Sequence, residues 1–280
     1  MKNIVLIDTS YTSFYRFFAT IRWYSFSHKE EYKKLKEDNK YDWTTNEDFF
    51  EKYKKMYFES ILKLIGKQKS KNSIFIFALD SSQKSLWRNE LTDDYKGCRE
   101  DLSKKVNIKT IFKYTYTKLI PGLVKENSNV FKIKVDELEA DDVIALTVKY
   151  MKNKNLNNHI DLISGDKDFL QLGNDNITFL DYKKKKDDIN LTQEEANQIL
   201  FMKIVKGDCS DNIKPIFTDV KISPKKKKEL LLNKELLLNY INENPSVKKK
   251  FETNKKLIDF DYIPKKYNKK VFDKVKKIIN

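Results

Sequence analysis

The chain has 280 residues, of which 40% are hydrophobic and 35% charged. That is enough apolar material for a packed core and excludes a disordered polyelectrolyte. A formal net charge of +15 means that the surface attracts polyanions, and two cysteines outside any CxxC pattern exclude a disulfide framework. No apolar run reaches membrane-spanning length, and Asp8 interrupts the first short one, so neither an anchor nor a signal peptide is expected. The expectation is an intracellular protein. The charge is uneven: Tyr182 to Asn280 holds 25 Lys and 14 acids, net +11, which places the polyanion-facing part mainly in the C-terminal third.

Lys2–Asp8 predicts a buried parallel strand ending in an acid, with Thr9 or Ser10 capping a helix to about Ile21. Residues 23–48 lack a clear period and read as a long insertion, partly ordered at best. Trp23, Tyr24 and Phe26 within it suit base stacking, and ordinary packing suits them at least as well. Glu47–Ile65 has helical spacing closed by Gly66, and Ser73–Asp80 is a second buried strand with an acid at its end. Ser81–Leu119 is helical in pattern but charged and aromatic, so it is expected to stand away from the core. Val130–Lys134 predicts a third strand, and Glu139 opens a helix to about Lys152, with Asp141 and Asp142 in the first turn, where the helix dipole favours anions. His159–Ser164 predicts a fourth strand leading into Gly165-Asp-Lys-Asp-Phe-Leu, and Asn176–Leu180 a fifth. Beyond Leu191 the pattern is mostly helical, punctuated by Pro215, Pro224, Pro245 and Pro264. The fold class is therefore α/β, a mostly parallel sheet flanked by helices, with a helical C-terminal part; no internal repeat is visible.

The acids carry the chemistry. Asp8, Asp80 and Asp166 fall at the C-terminal ends of predicted parallel strands, where open α/β sheets place their sites. Glu139 and Asp141 sit two apart at a helix start; Asp166 and Asp168 flank Lys167; Asp208 and Asp211 share a face at a spacing of three. A single Asp at a strand end is usually a cap, but four such clusters at the ends of successive elements point to a metal site. Asp142 suits capping or support of a ligand as well as ligation. Oxygen-only donors suit Mg²⁺ or Mn²⁺ rather than zinc, and two such ions serve phosphodiester hydrolysis. A phosphatase with an aspartyl nucleophile would need an acid two residues after Asp8, where Ser10 stands.

Glu139-Ala-Asp-Asp, Gly165-Asp-Lys-Asp-Phe and Gly207-Asp-Cys-Ser-Asp-Asn-Ile resemble, in order and spacing after Asp8 and Asp80, the motifs of the flap endonuclease/5′-3′ exonuclease family. Trp87-Arg-Asn-Glu-Leu…Asp94-Tyr-Lys-Gly-Cys-Arg99 is similar to that family's arch, and Leu257-Ile-Asp-Phe-Asp-Tyr-Ile-Pro264 resembles the tail of T-even phage ribonuclease H-type viral 5′ nucleases. The resemblance spans nearly the whole chain. It implies a PIN-like catalytic core over 1–182 (arch about 84–118) and a helical DNA-binding part over 183–280. It implies Asp8, Asp80, Glu139, Asp141 and Asp166, with Asp142 beside them, around a first Mg²⁺, and Asp168, Asp208 and Asp211 around a second. Lys96 and Arg99, and more weakly Arg88, match residues that contact the scissile phosphate; at a spacing of three, Lys96 and Arg99 would share a helix face. The turn after Asp211-Asn-Ile lacks the family's Pro-Gly and Gly-x-Gly, so Lys221 and Lys225, Lys226, Lys227 and Lys228 are expected to meet duplex phosphate instead. Tyr11, Phe14 and Tyr15 are candidates to stack on a base. The implied activity is a structure-specific 5′ nuclease acting as a monomer on 5′ flaps, nicks or forks, or on RNA–DNA hybrids. A replication clamp or single-strand-binding protein would be its partner, although no clamp-binding Gln-x-x-apolar-x-x-aromatic-aromatic motif is seen. The rivals are a PIN-type single-strand ribonuclease and a catalytically silent fork-binding relative.

Overall fold

A computed structural model describes residues 2–92, 95–97, 106–183 and 189–279. In chain order these form β1 (Asn3–Asp8), α1 (Thr9–Ser27), α2 (Lys29–Leu35), α3 (Glu47–Ile65), α4 (Lys67–Lys71) and β2 (Ser73–Leu79). Then follow α5 (Lys109–Tyr114), α6 (Ile120–Glu126), β3 (Val130–Lys134), α7 (Ala140–Asn153), β4 (Ile160–Ile163), β5 (Ile177–Leu180) and β6 (Ile189–Asn190). The C-terminal part comprises α8 (Gln193–Lys206), α9 (Pro224–Leu232), α10 (Lys234–Glu243), α11 (Pro245–Ile258) and α12 (Lys266–Ile279). The strands make one sheet in the order β3-β2-β1-β4-β5-β6, parallel except for β6.

β1 is central because it is apolar on both faces. Ile4 and Leu6 face Val143, Leu146 and, from the far end of the chain, Tyr267, Val271 and Val275 of α12. Val5 and Ile7 face Phe17 of α1 and Tyr53, Tyr57 and Ile61 of α3. A strand buried on both sides reads as a continuous apolar run, which is why the sequence alone predicts it. The strand order reverses direction between β1 and β4, the switch point where parallel sheets open a crevice. The C-terminal helices build a smaller core around Phe217, Leu230, Leu237 and Ile241.

Three expectations need correction. The first helix is capped by Asp8, which accepts the N–H of Tyr11, and it runs on to Ser27 rather than Ile21. Residues 23–48 are ordered rather than a loose insertion: Tyr24 stacks on His28 at 4.3 Å, Trp43 packs 4.7 Å from Phe49, and Asn46 donates to the Tyr24 hydroxyl and caps α3. Aromatic rings supply this cohesion without a helical or strand period, so the pattern is invisible in sequence. Finally, the base of the 81–119 segment does not stand away from the core. Trp87 and Arg88 are buried, and Leu86 and Tyr95 pack against Ile204, Ile213, Leu257 and Ile258 from the C-terminal part.

Trp43 is 3% exposed. Trp43→Ala should lose roughly 3–5 kcal/mol and lower the thermal midpoint accordingly; an unchanged midpoint would return 23–48 to the status of a loose insertion.

Candidate metal centre and adjoining groove

The register brings the acids to one edge. Asp8 pairs with Ala78 on one side, and Ile7 with Ile163 on the other, so Asp8, Asp80 and the Ser164–Asp166 turn all leave the sheet together. Asp8 spends one oxygen on the α1 cap (Tyr11 N–H, 3.0 Å) and accepts Ser164 Oγ on the other (2.8 Å). Asp80 accepts Ser10 Oγ (2.7 Å) and the Tyr116 hydroxyl (2.9 Å) on Oδ2. Tyr116 reaches it from a π-helical turn, Thr115–Leu119, that joins α5 to α6. Oδ1 of Asp80 accepts the N–H of Ala140 at 2.9 Å, which draws the N-terminus of α7 to the same edge and delivers Glu139 and Asp141. Asp8, Asp80, Glu139, Asp141 and Asp166 thus line one cavity of about 250 Å³, with Lys96 beside them.

Crowded carboxyls raise one another. Burial, reinforced by Asp80, pushes Asp8 up to about 7 against the lowering hydrogen bonds from Tyr11 and Ser164. Burial, then the charges of Asp8, Asp166 and Glu139, hold Asp141 well above the usual carboxylate range. Burial also raises Asp166 despite Lys203 nearby. Such a cluster takes up protons or a cation, and its all-oxygen donors fit a hard divalent ion.

A second set lies alongside. Carboxylate oxygens of Asp168, Asp208 and Asp211 approach within 4.8 Å of one another. Their positions depend on Gly207, whose φ of +70° ends α8; a Cβ there would lie 2.2 Å from the Ile213 carbonyl oxygen, across the bridge that Asp208 makes with Ile213. Burial pushes the Asp208 carboxyl up, but hydrogen bonds from Lys203 and Ser210 outweigh it and hold it at about 2. Asp8 and Asp166 are shared with a groove of about 970 Å³, edged by Lys167, Lys183, Lys203 and Lys206 and floored by Tyr11, Phe14, Leu170 and Met202. Tyr15 instead stacks on Tyr182 at 4.4 Å.

Other candidates sit elsewhere. Asp142 is fully buried behind the cavity: its Oδ2 accepts Arg88 (2.9 Å), the Trp87 indole (3.0 Å) and the N–H of Glu139 (3.2 Å), and its Oδ1 lies 2.8 Å from the Arg88 guanidinium as an ion pair. It is a cap and counterion rather than a ligand. Arg88, expected at nucleic acid, is 3% exposed; it bridges Glu139 (3.0 Å), Asp142 and the Leu257 carbonyl (2.9 Å), out of reach of a phosphate. Lys96 does not lie on a helix. It occupies a left-handed turn at φ +59°, is buried, and pairs with Glu139 beside Asp211 (3.9 Å). Arg99 lies outside the described residues. Lys221 and Lys225, Lys226 and Lys228 are exposed and Lys227 is half-buried at and before the start of α9; among the described residues none of them lines the groove. Tyr95, which donates to Glu139 (2.9 Å) and Asp211 (3.2 Å), and Ser10, Tyr116, Ser164 and Lys203 escape sequence reasoning. Only Tyr95 carried a signal, its place beside Lys96.

Residues 3–200 match the family model described as 5′-3′ exonuclease, N-terminal resolvase-like domain. The chain is 32% identical over 167 residues to a 5′-3′ exonuclease of Mycoplasmopsis pulmonis (strain UAB CTIP), covering 58% of this chain and 52% of that protein. It is 30% identical over 154 residues to a 5′-3′ exonuclease of Buchnera aphidicola subsp. Schizaphis graminum (strain Sg), covering 51% and 47%. It thus spans about half the length of the curated relatives it matches. Among solved structures it is similar to T5 5′-exonuclease with bound zinc ions (TM-score 0.64, 17% identity, 100% of both chains). It is also similar to the bacteriophage T5 flap endonuclease in a pseudo-enzyme-product complex with DNA and metal ions (0.62, 17%, 99% of both chains). At such identity the likeness is one of fold.

Two outcomes are expected. In chelator, stability should fall as pH rises from about 4 to 7: Asp8 has a folded pKa of about 7 against 3.8 unfolded, so between these values the folded state holds a proton that the unfolded state has lost, and the slope levels off above 7. Asp8→Asn should flatten that slope, and a divalent ion should raise the midpoint more at pH 8 than at pH 5; differential scanning calorimetry measures both. Arg88→Met should cost roughly 3–5 kcal/mol, because Glu139 and Asp142 lose their buried counterion; a surface phosphate contact would leave the unfolding midpoint unmoved.

Proposed function

Since this chain belongs to the 5′-3′ exonuclease family, we propose that it is a structure-specific 5′ nuclease that hydrolyses phosphodiesters with two divalent ions. One observation carries the reading: a cavity walled by five acids shares Asp8 and Asp166 with a lysine-lined groove of about 970 Å³. Asp8, Asp80, Glu139, Asp141 and Asp166 would hold one ion, and Asp168, Asp208 and Asp211 the other. The hard oxygen donors favour Mg²⁺, with Mn²⁺ as a substitute. When bound, such ions polarise the phosphate and make a water more acidic.

The protein's own residues supply placement. Ser10, Tyr116 and the Ala140 N–H hold both oxygens of Asp80, and Ser164 and the Tyr11 N–H hold those of Asp8. These carboxylates therefore need little reorganisation to accept a cation. Lys96, at the cavity wall, is placed to neutralise a phosphate next to Glu139, and Arg99 would join it from the arch. Lys167, Lys183 and Lys206 offer contacts to backbone phosphates, which position a strand without reading its sequence. Of the aromatic candidates, Tyr11 and Phe14 line the groove and would be the ones to meet a base; Tyr11 and Tyr15 both stack on Tyr182 (6.0 and 4.4 Å), and Phe14 packs on Phe18 at 4.7 Å. The basic helices carrying Lys221 and Lys225–Lys228 would hold the duplex beyond the junction.

The substrate proposed is DNA with a 5′ flap, nick or fork, or an RNA–DNA hybrid, trimmed during replication and repair inside the cell. The T5 enzyme's complex with DNA and metal ions supports a DNA substrate. The protein would act as a monomer alongside a replication clamp or single-strand-binding protein. Among the described residues no helix is long and apolar enough to cross a membrane.

A 5′-labelled flap duplex incubated with Mg²⁺, beside single-stranded DNA and single-stranded RNA, tests this. Cleavage at the junction is expected, and Asp166→Ala should reduce it about 10³-fold or more, the equivalent of several kcal/mol of lost charge stabilisation. Tight flap binding without cleavage in Mg²⁺ or Mn²⁺ would make the chain a silent fork binder. Cleavage confined to single-stranded RNA would make it a ribonuclease.

A further inference from the structure

Lys203 stands where the second set of acids needs positive charge. It projects from the last turn of α8, its side chain 19% exposed; its ammonium pairs with Asp168 and lies 2.8 Å from Asp208 Oδ2. Asp208 has no oxygen to spare, because Oδ1 accepts the N–H (2.8 Å) and Oγ (2.6 Å) of Ser210. Asp168, Asp208 and Asp211 are the three acids whose oxygens converge within 4.8 Å. A divalent ion bound there would coordinate at about 2 Å the oxygens that Lys203 now holds. An ion and an ammonium cannot both occupy that contact.

We propose that Lys203 is a built-in counterion of the second carboxylate set, which the second divalent ion must displace in order to bind. This rests on the two-ion reading above. The backbone does not yield in the exchange: Gly207 has no room for a Cβ, and Asn254 donates to the carbonyls of Ile204 and Lys214 (2.9 Å each), tying the end of α8 to the loop that follows Asp211. The four-methylene stem of Lys203 is the part free to swing, and the groove that it already lines is open to it. Without the second ion the three acids remain neutralised and the site remains folded. With it, an ammonium is released beside Lys167, Lys183 and Lys206. In the first set Lys96 and Arg88 pair with Glu139, one of five acids, whereas Lys203 holds two of the three acids of the second set. The second ion should therefore bind more weakly than the first because the resident charge holds most of its donors.

Mn²⁺ titration with electron paramagnetic resonance counts bound ions without relying on cleavage. Wild type should show a tighter and a weaker ion. The neutral variants Lys203→Met and Lys203→Gln should each tighten the weaker ion about tenfold, within the usual range of site-to-site coupling, and change the tighter one much less. Lys203→Arg retains the charge and should retain the weak binding. A weaker ion whose affinity is unchanged or reduced in both neutral variants overturns the proposal while leaving the two-ion reading intact. Binding of no second ion in any of the four proteins overturns that reading and the proposal together.

Discussion

Mutual repulsion among carboxylates gathered at one edge of one sheet is the constraint around which this protein is built. Each acid that the parallel strands deliver there raises the cost of the next. The fold answers with several kinds of positive charge. Asp8 caps α1 and Glu139 caps α7, so two helix N-termini point at the cluster. Lys96 and Arg88 neutralise Glu139 from the arch side, and Lys203 neutralises Asp168 and Asp208 from the helical side. Burial, with the repulsion that remains, still lifts Asp8, Asp141 and Asp166, and carboxyls held in that state suit a proton or a cation.

The pair Asp141 and Asp142 shows how finely burial sorts neighbouring acids. They are adjacent in sequence, so a helix turns them about 100° apart. One faces the cavity. The other faces inward, where Arg88, Trp87 and the helix cap satisfy it. Arg88 thereby becomes a joint between three parts of the chain: the base of the arch, the start of α7 and the end of α11 at Leu257. Buried charges of this kind are costly to desolvate and add little net stability, but breaking them is expensive, which holds Trp87 and Arg88 in register with the acidic edge.

Much of the fold was legible because two-sided burial leaves long apolar runs. Ile4–Ile7 and Ile74–Leu79 read as inner strands with an acid directly at the end of each, and Ile160–Ile163 reads so despite Asp161, with Asp166 three residues beyond it. The segment 23–48 was illegible for the opposite reason. Tyr24, Trp43 and Phe49 hold it together by ring-to-ring contacts that have no period, and their partners lie on another helix. The lysines of the groove were not legible from composition: the run at 225–228 is conspicuous but lies outside the groove, whereas Lys167, Lys203 and Lys206 are unremarkable in sequence and line it.

The amino-acid sequence by itself determined the α/β class, the strand ends at which the acids gather and the family. These depend on residue type and local spacing, which a linear chain displays. Only the tertiary structure decided which charges oppose one another. It turned Arg88 from a surface contact into a buried tie, withdrew Asp142 from the acids lining the cavity, placed Lys96 in a left-handed turn against Glu139, and set Lys203 between Asp168 and Asp208. The reason is that electrostatic interaction follows distance and burial in space, and residues as far apart in the chain as Arg88 and Leu257, or Lys203 and Asp168, become neighbours only once the sheet and its helices have packed.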